Sequence, residues 1–368
     1  MLTLVHCADV HLETSFSDVR GGSARRAALA DAFVRIVDEA CRRRADALLV
    51  GGDLYEYERA GPQTMRFLCK EFARFGGPVF VAPGNHDPWS PSALLARGDL
   101  PPNVRVFDEA TWRAFPLSDD VMLYGFGHTP AEPGRPFARA RFERGTVRIA
   151  LVHGSDEERC PPKKRATAPF RPEEIEAAGA SLLLTGHYHS GYSVARRDGT
   201  PLFAYPGSPE PIKFGEDGAH GALIVTIDAG KIALEPFATA TTRLLELACD
   251  LSGAASEHDV LSAAEATLAG CGPRDYVKLR LEGLVAAGTR VDAELVADRC
   301  GGALGALDVD DRTIPCDYDA LGREPTVRGR VVADLLAAAR GSDPERAAEA
   351  EEALRYAVAA FEGTPIVP

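Results

Sequence analysis

Residues 78–87 read PVFVAPGNHD, a short run of apolar strand formers halted by Gly84 and followed by Asn85, His86 and Asp87. Such a run is too short for a helix and too apolar for a surface loop, so it reads as a buried strand that delivers polar groups at its end. The same pattern recurs on both sides. Leu2–Val5 leads into HCADVH, Ala47–Val50 into GGD, Val147–Val152 into HG, and Leu182–Thr185 into GHYH. Helical stretches lie between these runs. Ser23 is a candidate cap for a helix in which Leu29, Phe33, Ile36, Val37 and Ala40 recur at helical spacing, and a second helix covers roughly Gln63–Phe75. Strands that alternate with helices and end in polar loops describe a layered α/β fold, in which sites gather at the carboxyl ends of the strands.

Beyond residue 190 the texture turns β-rich, with strands expected at Tyr192–Arg196, Leu202–Tyr205, Ala222–Ile227 and Ile232–Phe237. Near residue 240 the pattern changes again. Leu245, Leu247, Cys249 and Leu251 alternate with other residues, as do Val277, Leu279 and Leu281, and helical stretches follow each. These features divide the chain into residues 1–240, a small α+β domain at 241–315, and a C-terminal segment at 316–368 ending in two helices. The helices carry the apolar stripes Val331, Val332, Leu335, Leu336 and Ala350, Leu354, Val358, Phe361, which either pack on their own domain or dock a partner.

With 45% hydrophobic and 26% charged residues, the 368-residue chain has the balance of a globular protein able to bury a sizeable core. The opening MLTLVHCADVHL lacks a basic leader before a long apolar run, and no stretch approaches the ~18 apolar residues of a membrane span. Eight cysteines without a CxxC pair fit reduced thiols, and the expected location is the cytoplasm. The net charge of −13 is unevenly placed, since residues 241–368 hold 23 Asp/Glu against 13 Lys/Arg. The part that carries the polar clusters is therefore nearly neutral, which is compatible with a nucleic-acid partner without favouring one.

Each cluster alone is weak, because a single Asp-x-His or His-x-His arises by chance. Together they hold five of the nine histidines, namely His11, His86, His153, His187 and His189, each after a strand-like run. Hydrolysing a phosphodiester requires a nucleophile at an anionic phosphorus and stabilisation of developing charge. Two metal ions about 3.5–4 Å apart can do both, and a single carboxylate such as Asp53 can bridge them. Mixed imidazole and oxygen ligands suit Mn, Fe or Zn better than Mg.

The ordered set D-x-H, GD, GNHD, HG, GHxH resembles the calcineurin-like metallophosphoesterases. ADVHLETSF and YPGSPEPIKFGEDGAHGALIVTID are similar to segments of the SbcD-type DNA repair exonucleases, in particular their YhaO-like branch, and TRLLELACDLSGA looks like the first strand of their capping domain. The resemblance spans residues 1 to about 285. It implies a four-layer β-sandwich flanked by helices, with a small α+β capping domain and C-terminal helices. It also implies two divalent ions, Mn2+ by preference, one held by Asp9, His11, Asp53 and His189 and the other by Asp53, Asn85, His153 and His187. His86 would then be the general acid, and Asp87 either orients His86 or shapes the turn. Many archaeal and eukaryotic relatives carry a histidine three residues after the bridging aspartate, where this chain has Glu56, so the resemblance does not carry over exonuclease action identical to theirs.

The expected activity is metal-dependent DNA cleavage in repair or end processing. Lys163, Lys164 and Arg165 are candidate contacts to DNA phosphates, or else solvated surface. An SMC-like ATPase docking on the last helices and a homodimer are further partners that the resemblance implies. The alternatives are a phosphodiesterase for cyclic or other small nucleotides and a non-catalytic scaffold, the latter opposed by a ligand set with no member lost.

Overall fold

The computed structural model describes residues 1–368 apart from 18–20, 132–133, 162–165, 217, 287 and 364–368. The chain divides into two units, Met1–Arg243 and Leu244–Pro368. The first runs through β1 (Leu2–Cys7), α1 (Gly22–Arg43), β2 (Ala47–Val50), α2 (Pro62–Phe75), β3 (Val79–Val81), α3 (Leu94–Arg97), β4 (Val104–Val106) and β5 (Arg113–Pro116). It continues with β6 (Val121–Phe126), β7 (Val147–His153), α4 (Pro172–Ala178), β8 (Leu182–Gly186), β9 (Tyr192–Ala195), β10 (Pro201–Tyr205), β11 (Gly221–Asp228) and β12 (Lys231–Ala238).

These strands form two six-stranded sheets, in the orders β12-β11-β1-β2-β3-β4 and β5-β6-β7-β8-β10-β9. β1 to β4 are mutually parallel, as are β6, β7, β8 and β10. Side chains alternate across each strand, so one face of each sheet is free to pack against the other. Leu4, Leu49 and Phe80 of the first sheet share a buried cluster with Leu123, Ile149, Leu151 and Leu184 of the second. Against the first sheet's other face lies α1, whose Leu29, Phe33, Ile36 and Val37 are fully buried and which contacts β1 and β11. The outer face of the second sheet buries Tyr124, Val152 and Phe203 with Phe137, Phe142, Phe170 and Ile175 of α4. Each large apolar side chain removed from water in these layers contributes roughly 1.5–3 kcal/mol. The order is helix, sheet, sheet, helix, the four-layer α/β architecture that the resemblance implies.

Two local expectations are corrected. Helix α1 starts at Gly22 after Gly21 in the left-handed region (φ 79°), and no side chain caps it, so Ser23 lies inside the helix. Helix α3 and strands β4 to β6 fill the stretch between β3 and Val147, where the sequence pattern marks no strand.

The second unit contains β13 (Arg243–Asp250), α5 (Glu257–Leu268), β14 (Asp275–Glu282), β15 (Leu284–Ala286), α6 (Ala293–Cys300), β16 (Ala306–Asp311) and β17 (Ile314–Cys316). Three more helices follow, α7 (Tyr318–Gly322), α8 (Val327–Ala339) and α9 (Pro344–Glu362). A three-stranded sheet of order β13-β14-β16 buries Leu279 and Leu281 against Val260 and Ala264 of α5 and Val296 of α6. The stripes of α8 and α9 pack within this unit, with Val332, Leu354 and Val358 buried against Leu284 and Cys316. Among the described residues, no helix is long and apolar enough to cross a membrane, and all eight cysteines are free thiols.

Candidate metal centre

The polar clusters at the ends of β1, β2, β3, β7 and β8 converge. Hydrogen bonds between backbones carry the strand pairing on past the strands. Asp9 N–H donates to the Gly52 carbonyl at 3.0 Å, His11 N–H to the Asp53 carbonyl at 2.9 Å, and Gly154 N–H to the Gly186 carbonyl at 3.1 Å. To turn successive side chains inward, Asp9 (φ 53°), His11 (φ 48°), Asp53 (φ 51°) and His187 (φ 111°) adopt positive φ. Asp, Asn and His accept that region more readily than most L-residues, which suits the residue types found here. Glycine is required where the loops touch. A Cβ on Gly84 would lie 2.2 Å from Asp53 Oδ1, and one on Gly52 would lie 2.6 Å from His153 Nδ1.

Asp53 occupies the centre. Its Oδ2 lies 3.6 Å from His11 Nε2 and 3.2 Å from His153 Nε2, and its Oδ1 accepts the His86 N–H at 2.8 Å. On one side, ligand atoms of Asp9, His11 and His189 lie within 4.8 Å of one another, and on the other those of Asp53, His153 and His187 do. Asn85 Oδ1 joins the latter, 3.1 Å from His153 Nε2 and 3.2 Å from His187 Nδ1. All seven expected ligands are thus brought together around one carboxylate. His86 also falls within reach of His11 and Asp53.

These residues fit a pair of divalent cations. His11 is 3% exposed, and its Nε2 has no hydrogen-bond partner among the described residues although it faces a carboxylate. An unsatisfied buried nitrogen costs about 1–3 kcal/mol, a cost that a cation between it and Asp53 would remove. The electrostatics differ from one residue to the next. Burial raises the Asp9 carboxyl above its ordinary range, with the neighbouring Asp53 charge adding to the effect against the pull of nearby histidines. Burial also pushes the His187 imidazole down to about 3, leaving it neutral and able to ligate. Although burial opposes it, the Asp53 carboxylate lifts His153 to about 9.

Glu56 and Glu216 complete the site from behind. Glu56 Oε1 accepts from His11 Nδ1 at 2.7 Å and Oε2 from His86 Nδ1 at 2.9 Å. Burial works against ionisation, yet these two histidines hold the Glu56 carboxyl down at about 2. In return, the hydrogen bond to Glu56 raises the His86 imidazole above its ordinary value, against the effect of burial. Glu216 Oε1 lies 2.5 Å from His189 Nδ1, while its other oxygen accepts the Ile212 N–H at 2.7 Å. Sequence reading had noticed Glu56 only as a departure and Glu216 only within FGE. It missed His128, at the end of β6, whose Nε2 lies 2.7 Å from the His153 carbonyl oxygen and steadies that turn.

Asp87 does not orient His86. Its buried carboxylate accepts backbone N–H groups from Asp53 (3.1 Å), Leu54 (2.9 Å) and Gly84 (2.6 Å), binding the β2 loop to the β3 loop. Of the two roles expected for Asp87 the structure supports the turn-shaping one, and Glu56 is the carboxylate that holds His86. The candidate DNA contacts Lys163, Lys164 and Arg165 lie outside the described residues. A cleft of about 640 Å³ opens on His11, Asp53, His86, His187 and His189, with Arg159 and Lys213 also on its walls. A larger hollow of about 790 Å³, lined by Arg148, Arg196 and Asp198, contains none of these ligands.

The model of one family, the calcineurin-like phosphoesterases, matches residues 2–191. The chain belongs to that family. This phosphoesterase chain is 28% identical over 255 residues to the uncharacterized metallophosphoesterase YhaO of Bacillus subtilis, covering 64% of this chain and 59% of the relative. Over 259 residues it is 26% identical to the DNA double-strand break repair protein Mre11 of Methanopyrus kandleri, covering 62% of this chain and 55% of that one. It therefore spans less than two thirds of the length of these curated relatives. Among solved structures, a dimetal phosphatase from Danio rerio is similar at 12% identity with a TM-score of 0.41, covering 64% of this chain and 95% of the other.

Proposed function

We propose that this chain is a metal-dependent phosphodiesterase that cleaves DNA. The observation that carries the catalytic part is the single Asp53 oxygen lying between the ring nitrogens of His11 and His153, at 3.6 and 3.2 Å. Asp9, His11, Asp53 and His189 would hold one divalent ion, and Asp53, Asn85, His153 and His187 the other. When bound, the pair would supply Lewis acidity to the phosphate oxygens and a water acidified enough to act as nucleophile.

The remaining work falls to side chains. The His86 ring is anchored at Nδ1 by Glu56 and half exposed to the cleft, which leaves Nε2 to protonate the departing sugar oxygen. The raised affinity of that imidazole for its proton suits a general acid near neutral pH. DNA as substrate is supported by the likeness to a protein named for double-strand break repair. Manganese is the preferred ion in this proposal, and the mixed imidazole and carboxylate ligands admit Fe or Zn as well. An ATPase partner docked on α8 and α9 is not part of it, since Val332, Leu354 and Val358 of their apolar stripes are buried within their own unit.

The test is turnover by the Mn2+-loaded full chain of single- and double-stranded DNA, bis-p-nitrophenyl phosphate and cyclic nucleotides. Cleavage of DNA and of the chromogenic diester is expected. Turnover of cyclic nucleotides far above that of DNA would move the assignment to small nucleotides, and inertness on every diester would end it.

A further inference from the structure

We propose that the two metal positions are unequal, the one built on Asp9, His11 and His189 being the tighter, and that Glu216 is a positioning residue that strengthens it through His189. The proposal rests on the dimetal reading above.

The asymmetry lies behind the ligands. A ligating imidazole binds metal through one nitrogen, and the partner of its other nitrogen fixes the tautomer and sets its basicity. At the first position both imidazoles are backed by carboxylates. His11 Nδ1 meets Glu56 at 2.7 Å and His189 Nδ1 meets Glu216 at 2.5 Å. Because a carboxylate at Nδ1 only accepts, each Nδ1 carries the proton and each Nε2 presents its lone pair. The His11 and His189 Nε2 atoms face Asp53 and Asp9, at 3.6 and 4.0 Å. At the second position the brace on His153 is neutral, the Gly51 carbonyl oxygen that its Nδ1 meets at 2.9 Å. His187 Nδ1 lies 3.2 Å from the Asn85 amide oxygen, a fellow ligand of that position and not a brace behind it. The first position thus has Asp9 to itself, shares Asp53, and gains two charged braces. The second shares Asp53 and adds an uncharged amide.

Glu216 is built for the task. It stands 27 residues from His189 in sequence, it is largely buried, and the Ile212 N–H holds its second oxygen at 2.7 Å, so the carboxylate cannot swing away without breaking a backbone contact.

The experiment titrates Mn2+ into the metal-stripped full chain, followed by isothermal calorimetry and by the electron paramagnetic resonance signal of free Mn2+. The melting temperature of the metal-free form reports on folding. The wild type should show two classes of site. Glu216→Gln keeps an acceptor for Ile212 and removes the charge, and it should weaken the tighter class roughly 10- to 100-fold while leaving the other class unchanged. Placed on a His189→Ala background it should add no further loss. Asn85→Asp, which brings a charge to the second position, should narrow the gap and does so without disturbing the Glu216 loop. Two equivalent ions in the wild type, equal weakening of both classes by Glu216→Gln, or an unchanged gap in Asn85→Asp would overturn the proposal. Fewer than two ions bound at saturation would instead sink the dimetal reading itself.

Discussion

The His86 side chain is 45% exposed to the cleft, whereas the carboxylate of Asp87, one residue on, is sealed against three backbone N–H groups. The two should therefore fail differently. His86→Gln should lower kcat by about 10²- to 10⁴-fold, the usual worth of a positioned general acid, with the metal-free melting temperature unmoved. Asp87→Ala strands buried donors and should cost about 1–3 kcal/mol in urea unfolding of the metal-free protein. The proposed ligands were legible in the sequence, since each histidine or aspartate follows an apolar run and all but Asp9 and His11 have glycine nearby. Their braces were not. Glu56 pairs with His11 across 45 residues and Glu216 with His189 across 27, and such partnerships depend on loop paths that no local pattern encodes. Asp87 left two readings open because an aspartate in a turn looks the same whether it faces a side chain or the backbone.

At the scale of elements, the site exists because parallel strands of two sheets release their loops at the same place. Gly84 shows how little slack those loops have. Gly84→Ala would force its Cβ into Asp53 Oδ1 and the Asp53 amide, which lie 2.2 and 2.7 Å from the ideal Cβ position. It should weaken Mn2+ binding at both positions by at least tenfold, since Asp53 serves both, as read by the same calorimetric titration. The strands that deliver ligands were readable because burial on both faces makes a continuous apolar run. β4 has only three residues and β5 is partly exposed, so neither gives such a run, and β6 ends in a lone Gly127-His128, too little by itself to draw attention to it. The start of α1 was misplaced because Ser23 looked like a cap, while the left-handed turn at Gly21 in fact sets the entry.

Over the whole molecule, the pairing of two sheets face to face came from likeness to a family, because periodicity identifies strands without saying which sheet they join. One residue ties the sheets directly. His6 of β1 is fully buried, with Nδ1 3.3 Å from the Leu49 carbonyl in its own sheet and Nε2 3.2 Å from the Thr185 carbonyl in the other. Burial lowers its imidazole from 6.5 to about 4, with the two carbonyls opposing the shift. The unfolded chain therefore takes up a proton that the folded chain refuses, so stability falls as pH drops from 6.5 towards about 4. The loss from this residue should approach roughly 3 kcal/mol at the acid end of the window. His6→Leu should flatten the urea midpoint across that range when chelator is present. Part of the acid dependence should survive in the variant, because burial also lowers His128 to about 4.

The backbone bonds that lace Asp9 to Gly52, His11 to Asp53 and Gly154 to Gly186 join main chain to main chain, with no side chain that would ligate an ion taking part. In zinc fingers the ion is part of the folding reaction itself. Here we expect it to enter loops already bonded to one another. Stripping and reloading should accordingly be reversible, with far-ultraviolet circular dichroism superimposable before and after chelation. On that expectation, the cation found in the centre would follow what the surroundings supply more than the protein's folding history.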